Sequence, residues 1–124
     1  MHDLLFIHPN PKLQGLYKNH LKNYFNVDSA VDGLDGLRKF KIKKPQIVVS
    51  EYDLPLLSGI SLLRFIRNQS QAVHIPFIFL SVQQPVADSL NSGANDWLVI
   101  NDSTPDILVA RCFQHLKSHA IKAY

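Results

Sequence analysis

A histidine and two carboxylates, His8, Glu51 and Asp53, are the side chains whose types could hold a metal ion. They come from two separate stretches of chain, and a hydrogen-bonded structural histidine accounts for His8 equally well. Ser81 is a possible nucleophile, but no base with an orienting partner accompanies it, so catalysis is not indicated. His115 and His119 stand four apart, a spacing that puts two imidazoles on one helix face. Near the end of the chain that pair reads as solvated. Cys112 is the lone cysteine, which excludes an internal disulfide framework and a cysteine-based zinc cluster. It falls among apolar residues and reads as a small core side chain. No glycine-rich phosphate loop and no nucleophile elbow follow any apolar run. The inventory therefore predicts a non-enzyme with no catalytic residues, no cofactor and no metal.

Composition agrees. The chain has 124 residues, 46% hydrophobic and 19% charged, which excludes disorder and fits one domain spanning 1–124. No apolar run approaches the about 20 residues of a membrane span, and Met1-His2-Asp3 lacks the basic start of a secretory signal. A cytoplasmic domain without a membrane partner is expected. Thirteen Lys and Arg against ten Asp and Glu give a net charge of +3, which permits a nucleic-acid partner without demanding one. The basic run Arg38, Lys39, Lys41, Lys43, Lys44 is interleaved only by Phe40 and Ile42, both better used as core. It reads as a solvated helix end, so no nucleic acid is expected to bind this domain.

The elements that must position these residues alternate. Leu4 to Ile7 is an apolar run closed by His8-Pro9-Asn10-Pro11, a buried strand. Lys12 to Phe25 has apolar residues at helical spacing (Leu13, Leu16, Tyr17, Leu21, Tyr24, Phe25). Val27 to Val31 is a short strand, and Asp32 to Ile42 a helix weakened by Gly33 and Gly36. Ile47 to Ser50 is a β-branched strand ending in the loop Glu51 to Pro55. Ser58 caps a helix through about Arg67. Ile75 to Leu80 is a strand, Pro85 to Asn91 a short helix, and Asp96 to Ile100 the last strand. Thr104 and Pro105 start the final helix, with Leu108, Val109, Cys112, Phe113 and Leu116 inward. Strand and helix alternate five times with continuous apolar strands, which predicts a doubly wound α/β sandwich around a parallel sheet. Ligands of such a sheet lie beyond the carboxyl ends of its strands. The residues there are His8, Pro9 and Asn10, then Glu51, Tyr52 and Asp53, then Ser81 and Val82, then Ile100 and Asn101.

Three segments carry a resemblance. They are Pro45 to Gly59 (PQIVVSEYDLPLLSG), Ile75 to Ser81 (IPFIFLS) and Ser92 to Val99 (SGANDWLV). In this order and at this length the chain resembles a response-regulator receiver domain, end to end. The resemblance implies a CheY-like, flavodoxin-like fold: a five-stranded parallel sheet in order 2-1-3-4-5 with about five helices. It also implies a role in bacterial two-component signal transduction. Receivers accept a phosphoryl group on an aspartate four residues before the loop proline, and counting back from Pro55 lands on Glu51. The paired acids that hold Mg²⁺ correspond to His8 and Pro9. The lysine after the last strand corresponds to Ile100, and the proline that follows it to Asn101. Only the hydroxyl and aromatic switch positions match, as Ser81 and Trp97.

These departures undo the chemistry. Mg²⁺ prefers six oxygen ligands, whereas His8 offers nitrogen and Pro9 nothing. Ile100 supplies no cation for the transferring phosphate. Glu51 is one methylene too long, a misplacement that can cost about 100-fold in rate. The resemblance therefore points to a pseudo-receiver that signals by protein contact independently of phosphorylation. The alternative is a phosphotransfer receiver with Glu51 or Asp53 as displaced acceptor. Glu51 itself reads either as a partial mimic of the phosphorylated state, reaching toward Ser81, or as a solvated loop acid. Val82 is expected to crowd the path by which Trp97 would turn inward. By resemblance, the contact surface is the fourth helix, fifth strand and fifth helix, with Gln84, Asp88, Asn91, Asp96, Trp97 and Arg111 as candidates. A protein partner, either a signalling protein or an output domain, and a homodimer through that face are the expected assemblies.

Overall fold

The computed structural model describes residues 1–69, 72 and 74–122, with side chains described through residue 118. The side chain of His119, and with it the pairing of His115 and His119, lies outside the described residues. The elements run β1 (Asp3–Ile7), α1 (Pro11–Leu21), β2 (Asn26–Ala30), α2 (Gly33–Lys43), β3 (Ile47–Ser50), α3 (Gly59–Arg67), β4 (Phe77–Ser81), α4 (Ala87–Asn91), β5 (Asp96–Val99) and α5 (Pro105–Lys122). A 3-10 turn, Ile100–Asp102, separates the last two. All strand pairs are parallel and the sheet order is β2-β1-β3-β4-β5, the doubly wound arrangement expected from the alternation.

The side chains of each strand alternate between two cores. Leu4, Phe6, Ile47, Val49, Ile78 and Leu80 face one side, where Tyr17 and Leu21 of α1 and Leu108 and Cys112 of α5 cover them. Leu5, Ile7, Val48, Phe77 and Phe79 face the other, under Phe40 of α2 and Leu62, Leu63 and Ile66 of α3. Two covered faces explain why the central strands have no polar alternation. Each such buried side chain contributes about 1.5–3 kcal/mol.

Local chemistry sets the helix starts. Asn10 Oδ1 accepts from the N–H groups of Lys12 (3.0 Å) and Leu13 (3.1 Å), with Pro11 at the first helical position. Asp32 Oδ1 accepts from Asp35 N–H, and Ser58 Oγ from Ser61 N–H. Thr104 Oγ1 receives Ile107 N–H at 3.3 Å.

Several expectations need correction. Helix α1 ends at Leu21, not Phe25, because the chain must turn before β2, and Phe25 is buried in that turn. Strand β4 begins after Pro76 and α4 is a single five-residue stretch. Leu16, Ile42 and Phe113 are 55%, 64% and 41% exposed, so they are not core. Phe113 instead stacks over Phe25 at 5.0 Å between ring centroids. Ile100 leaves β5 for the 3-10 turn and packs partly into the α1/α5 core.

Candidate functional site

The carboxyl ends of β1, β3, β4 and β5 bring His8, Glu51, Ser81 and Ile100 to one end of the sheet, as the fold requires. Parallel pairing carries Glu51 alongside β1, where its N–H donates to the Ile7 carbonyl at 2.9 Å. His8 N–H donates to Ala30 of β2. Gln14 ties the same place together, its amide donating to the carbonyls of Ala30 (2.8 Å) and His8 (3.2 Å). Nothing in the sequence singled out Gln14 for this role.

His8 is buried. Its Nδ1 accepts the Asn10 N–H at 3.1 Å, so the neutral ring carries its proton on Nε2. That Nε2 has no hydrogen-bond partner among the described residues and lies 3.9 Å from Glu51 Oε1. Burial lowers the imidazole's pKa, and the Glu51 charge only partly opposes it. His8 is therefore a hydrogen-bonded structural residue, stacked 6.2 Å from Phe6.

Glu51 follows neither sequence reading. It is 6% exposed, so it is no solvated acid. Its Oε2 accepts from the N–H groups of Tyr52 (2.5 Å) and Asp53 (3.2 Å), folding the carboxylate back onto its own loop. Ser81 is also buried, but its Oγ accepts from Gln83 N–H at 3.3 Å. Glu51 Oε2 and Ser81 Oγ are thus each engaged by their own loop. Asp53 is exposed and meets Glu51 through its backbone alone.

A site for Mg²⁺ does not fit these donors. His8 Nδ1 is occupied, Pro9 has no donor atom, and one Glu51 oxygen is taken by two backbone N–H groups. A hard cation with octahedral demands would find one free carboxylate oxygen and an imidazole. No cluster of three His, Cys, Asp or Glu side chains exists among the described residues.

The aromatic position is partly buried and packs against the edge of the α2/α3 core. The Trp97 ring lies 5.2 Å from Tyr52 and 5.3 Å from Phe79, and Tyr52 lies 5.4 Å from Phe79. The indole N–H donates to the Gln83 carbonyl at 3.0 Å, pinning the loop between β4 and α4. Val82 is 59% exposed. Sequence reasoning missed Tyr52 as the third ring, although it sits beside Glu51.

Of the surface candidates, Gln84, Asp88 and Asn91 are exposed. Asp96 and Arg111 pair with each other, through Arg111 Nη1 at 2.9 and 2.7 Å from the two carboxylate oxygens. His115 Nε2 lies 2.8 Å from Asp96 Oδ2, so His115 is not simply a solvated histidine. Burial works against ionisation of Asp96, but hydrogen bonds from Arg111, His115 and the Trp97 N–H outweigh it and hold its pKa below the ordinary value. Three of the five bases in the basic run lie near acids: Arg38 lies 2.6 Å from Asp35, and Lys39 and Lys43 each lie 4.0 Å from Asp28. Burial pushes the Cys112 thiol up to about 12, consistent with an inert core residue.

A staple of a different kind was invisible in the sequence. Arg67, at the end of α3, donates to the carbonyls of Gly93, Ala72 and Ile75 and to Asn95 Oδ1. Asn95 Oδ1 also accepts the N–H of Phe77.

A family model described as the response regulator receiver domain matches residues 5–110. Among curated proteins, the chain is 38% identical over 90 residues to the transcriptional regulatory protein CseB of Streptomyces coelicolor, covering 70% of this chain and 37% of that protein. It is 32% identical over 112 residues to the transcriptional regulatory protein TrcR of Mycobacterium tuberculosis, covering 87% of this chain and 42% of that one. The chain thus spans about two fifths of the length of these relatives. Among solved structures, chemotaxis response regulator CheY4 of Vibrio cholerae aligns with a TM-score of 0.86 at 21% identity, over 93% of this chain and 98% of that one. A CheY-like receiver domain protein from Methanospirillum hungatei aligns with a TM-score of 0.88 at 17% identity, over 98% of each chain. At those identities the likeness shows the fold.

Proposed function

The chain belongs to the response-regulator receiver family of two-component signal transduction, and from that premise we propose that it signals by protein contact without Mg²⁺-dependent aspartyl phosphorylation. The observation that carries this reading is the state of Glu51. The carboxylate at the acceptor position is buried, folded onto the N–H groups of Tyr52 and Asp53, and faces an imidazole where the family has acids. In-line attack requires that carboxylate to face a phosphodonor held by a cation. The partner is a signalling protein or an output domain. The face formed by α4, β5 and α5 is the candidate contact and a candidate homodimer surface. Gln84, Asp88 and Asn91 offer free polar groups there, while Asp96 and Arg111 hold β5 against α5. Phe40, the one aromatic residue within the basic run, is buried and cannot stack on a base, which argues against nucleic acid as a ligand of this domain.

The test is incubation of the wild-type chain with Mg²⁺ and acetyl phosphate, followed by intact mass and peptide mapping. An unmodified chain is expected. A phosphoryl adduct on Glu51 or Asp53 would replace this reading with a displaced-acceptor receiver.

A further inference from the structure

The C-terminal end of α2 and the turns leading into β4 border a cavity of about 280 Å³. It lies at the amino ends of β3 and β4, the opposite end of the sheet from Glu51. Phe40, Ala72 and Ile75 give it an apolar floor, and Lys41, Lys44 and Gln69, all exposed, stand around its mouth. Hydrogen bonds hold the wall. The N–H groups of Gln69, Ala72 and Ile75 donate in turn to the carbonyls of Ile66 (3.1 Å), Gln69 (2.9 Å) and Ala72 (3.3 Å). Arg67 clamps the same turns, its Nη1 donating to the Ala72 and Ile75 carbonyls at 3.0 and 2.7 Å.

The charge at the mouth is unanswered. Arg38, Lys39 and Lys43 each lie within 4.0 Å of Asp28 or Asp35. The side chains of Lys41 and Lys44 have no ion pair or hydrogen bond among the described residues. None of the ten acids lines the cavity, and residues 36–46 and 68–76 contain none. Lys44 is moreover held left-handed, with φ = 48°, as the helix cap whose N–H returns to the Phe40 carbonyl at 3.0 Å. Glycine takes that conformation at no steric cost, yet a lysine occupies it beside the cavity. Attraction to the negative end of α2 explains lysines there. It does not explain the apolar hollow that they border.

We propose that this cavity binds a small organic carboxylate, its apolar body against Phe40, Ala72 and Ile75 and its charge at Lys41 and Lys44. At about 30 Å³ per water the volume equals about nine waters, room for a ligand of about ten non-hydrogen atoms. An apolar lining with a few convergent polar groups is the usual make-up of a small-molecule site. The two cations select an anion, and the floor favours one with an apolar body over an inorganic ion. Because the wall is already hydrogen-bonded, little order is lost on binding. The site does not depend on whether Glu51 takes a phosphoryl group.

The probes are phenylacetate, its uncharged amide, inorganic phosphate and a short DNA duplex, each titrated into the isotope-labelled wild-type chain. Phenylacetate should bind with a Kd of about 1 mM or tighter and shift the backbone amides of residues 40, 41, 44, 69, 72 and 75. The amide should bind at least about fivefold more weakly, and phosphate and the duplex should leave these resonances in place. Lys41→Gln with Lys44→Gly should weaken phenylacetate about tenfold or more, whereas Lys12→Gln with Lys117→Gln, which removes two exposed charges elsewhere, should change it by less than about twofold. Lys44→Gly relieves the left-handed cap, so the double variant should melt close to the wild-type temperature, and the comparison of acid with amide needs no variant at all. Equal binding of acid and amide, shifts confined to other residues, no saturation by about 10 mM, or equal loss in the two double variants would each overturn the proposal. Shifts of the same resonances by phosphate would overturn it as a plain anion site, and by the duplex as a nucleic-acid patch.

Discussion

Rebuilding the acceptor pocket provides the sharpest test of the proposal that it takes no phosphoryl group. Three deficits separate it from a working phosphoryl acceptor. The carboxylate is displaced, which costs about 100-fold. A divalent ion has no set of oxygens to sit in, and position 100 carries no cation; each missing charge stabiliser is worth about 10²–10³ in rate. The combined deficit is about 10⁶-fold or more, provided the effects act independently. Glu51→Asp alone repairs only the first and leaves the chain unphosphorylated. Adding His8→Asp, Pro9→Asp and Ile100→Lys supplies the rest. The fold should tolerate this, because a carboxylate at position 8 can accept the Asn10 N–H that His8 Nδ1 now accepts at 3.1 Å. Carboxylates crowded at about 4 Å repel by about 4 kcal/mol per pair at an effective dielectric of 20. The fourfold variant should therefore melt lower than wild type without Mg²⁺ and recover as Mg²⁺ is added, whereas wild type is indifferent to the ion. Intact mass after acetyl phosphate and Mg²⁺ should show the adduct in the fourfold variant only. Stoichiometric modification of Glu51→Asp at the same rate would refute the argument. So would a fourfold variant that binds Mg²⁺, stays folded and remains inert.

Three further outcomes follow from the packing. Because burial lowers the His8 pKa from its ordinary 6.5, the unfolded chain binds more protons just below that pH. Stability should be full above about pH 6.5 and fall as the pH drops; urea midpoints between pH 7 and 5 should flatten in His8→Asn relative to wild type, and parallel curves would dismiss the idea. Asp96, whose pKa is also lowered, contributes in a separate window and loses its contribution only as the pH falls below its ordinary 3.8. Two glycine substitutions should differ in sign by urea unfolding. Gly33→Ala drives a Cβ into the Leu57 backbone and should cost about 1–3 kcal/mol, while Gly15→Ala, in a helix with nothing within 4 Å, should gain about 0.5–1 kcal/mol. Arg67→Ala strips donors from three backbone carbonyls and Asn95 and should cost about 2–4 kcal/mol; Arg67→Lys, lacking the planar fork, should not restore it.

The sequence made the sheet legible because its signals are local. Continuous apolar runs such as Ile47 to Ser50, and the caps Ser58 and Thr104, each specify their own element. The order of strands followed from the resemblance and the alternation together. The positions of the pocket residues were legible too, since parallel strands deliver their carboxyl ends to one place. What those side chains do there was not. Whether Glu51 reaches Ser81 or folds back onto Tyr52 depends on two dihedral angles and on which N–H groups point inward. The Asp96–Arg111 pair joins residues on different elements, and the Arg67 staple spends a charged group on backbone carbonyls, which no residue pattern announces. Exposure of Phe113 and Ile42 escaped for a related reason: helical spacing gives a face but not how wide the neighbouring layer is.

The chain has a single tryptophan, and it is wedged between Tyr52 and Phe79 with its indole N–H on the Gln83 carbonyl. Its ultraviolet emission therefore reports from one place, the junction of the acceptor loop with the loop between β4 and α4. Partly buried among rings, the indole should emit between the buried and fully exposed extremes and be partly accessible to quenchers in the buffer. At 5.2 Å, Tyr52 should pass its excitation to the indole with little loss. Any ligand or partner that pulls either loop should move the band to the red and open the ring to iodide. The molecule thus carries its own label-free probe, and candidate partners can be titrated against it in a cuvette without attaching a dye.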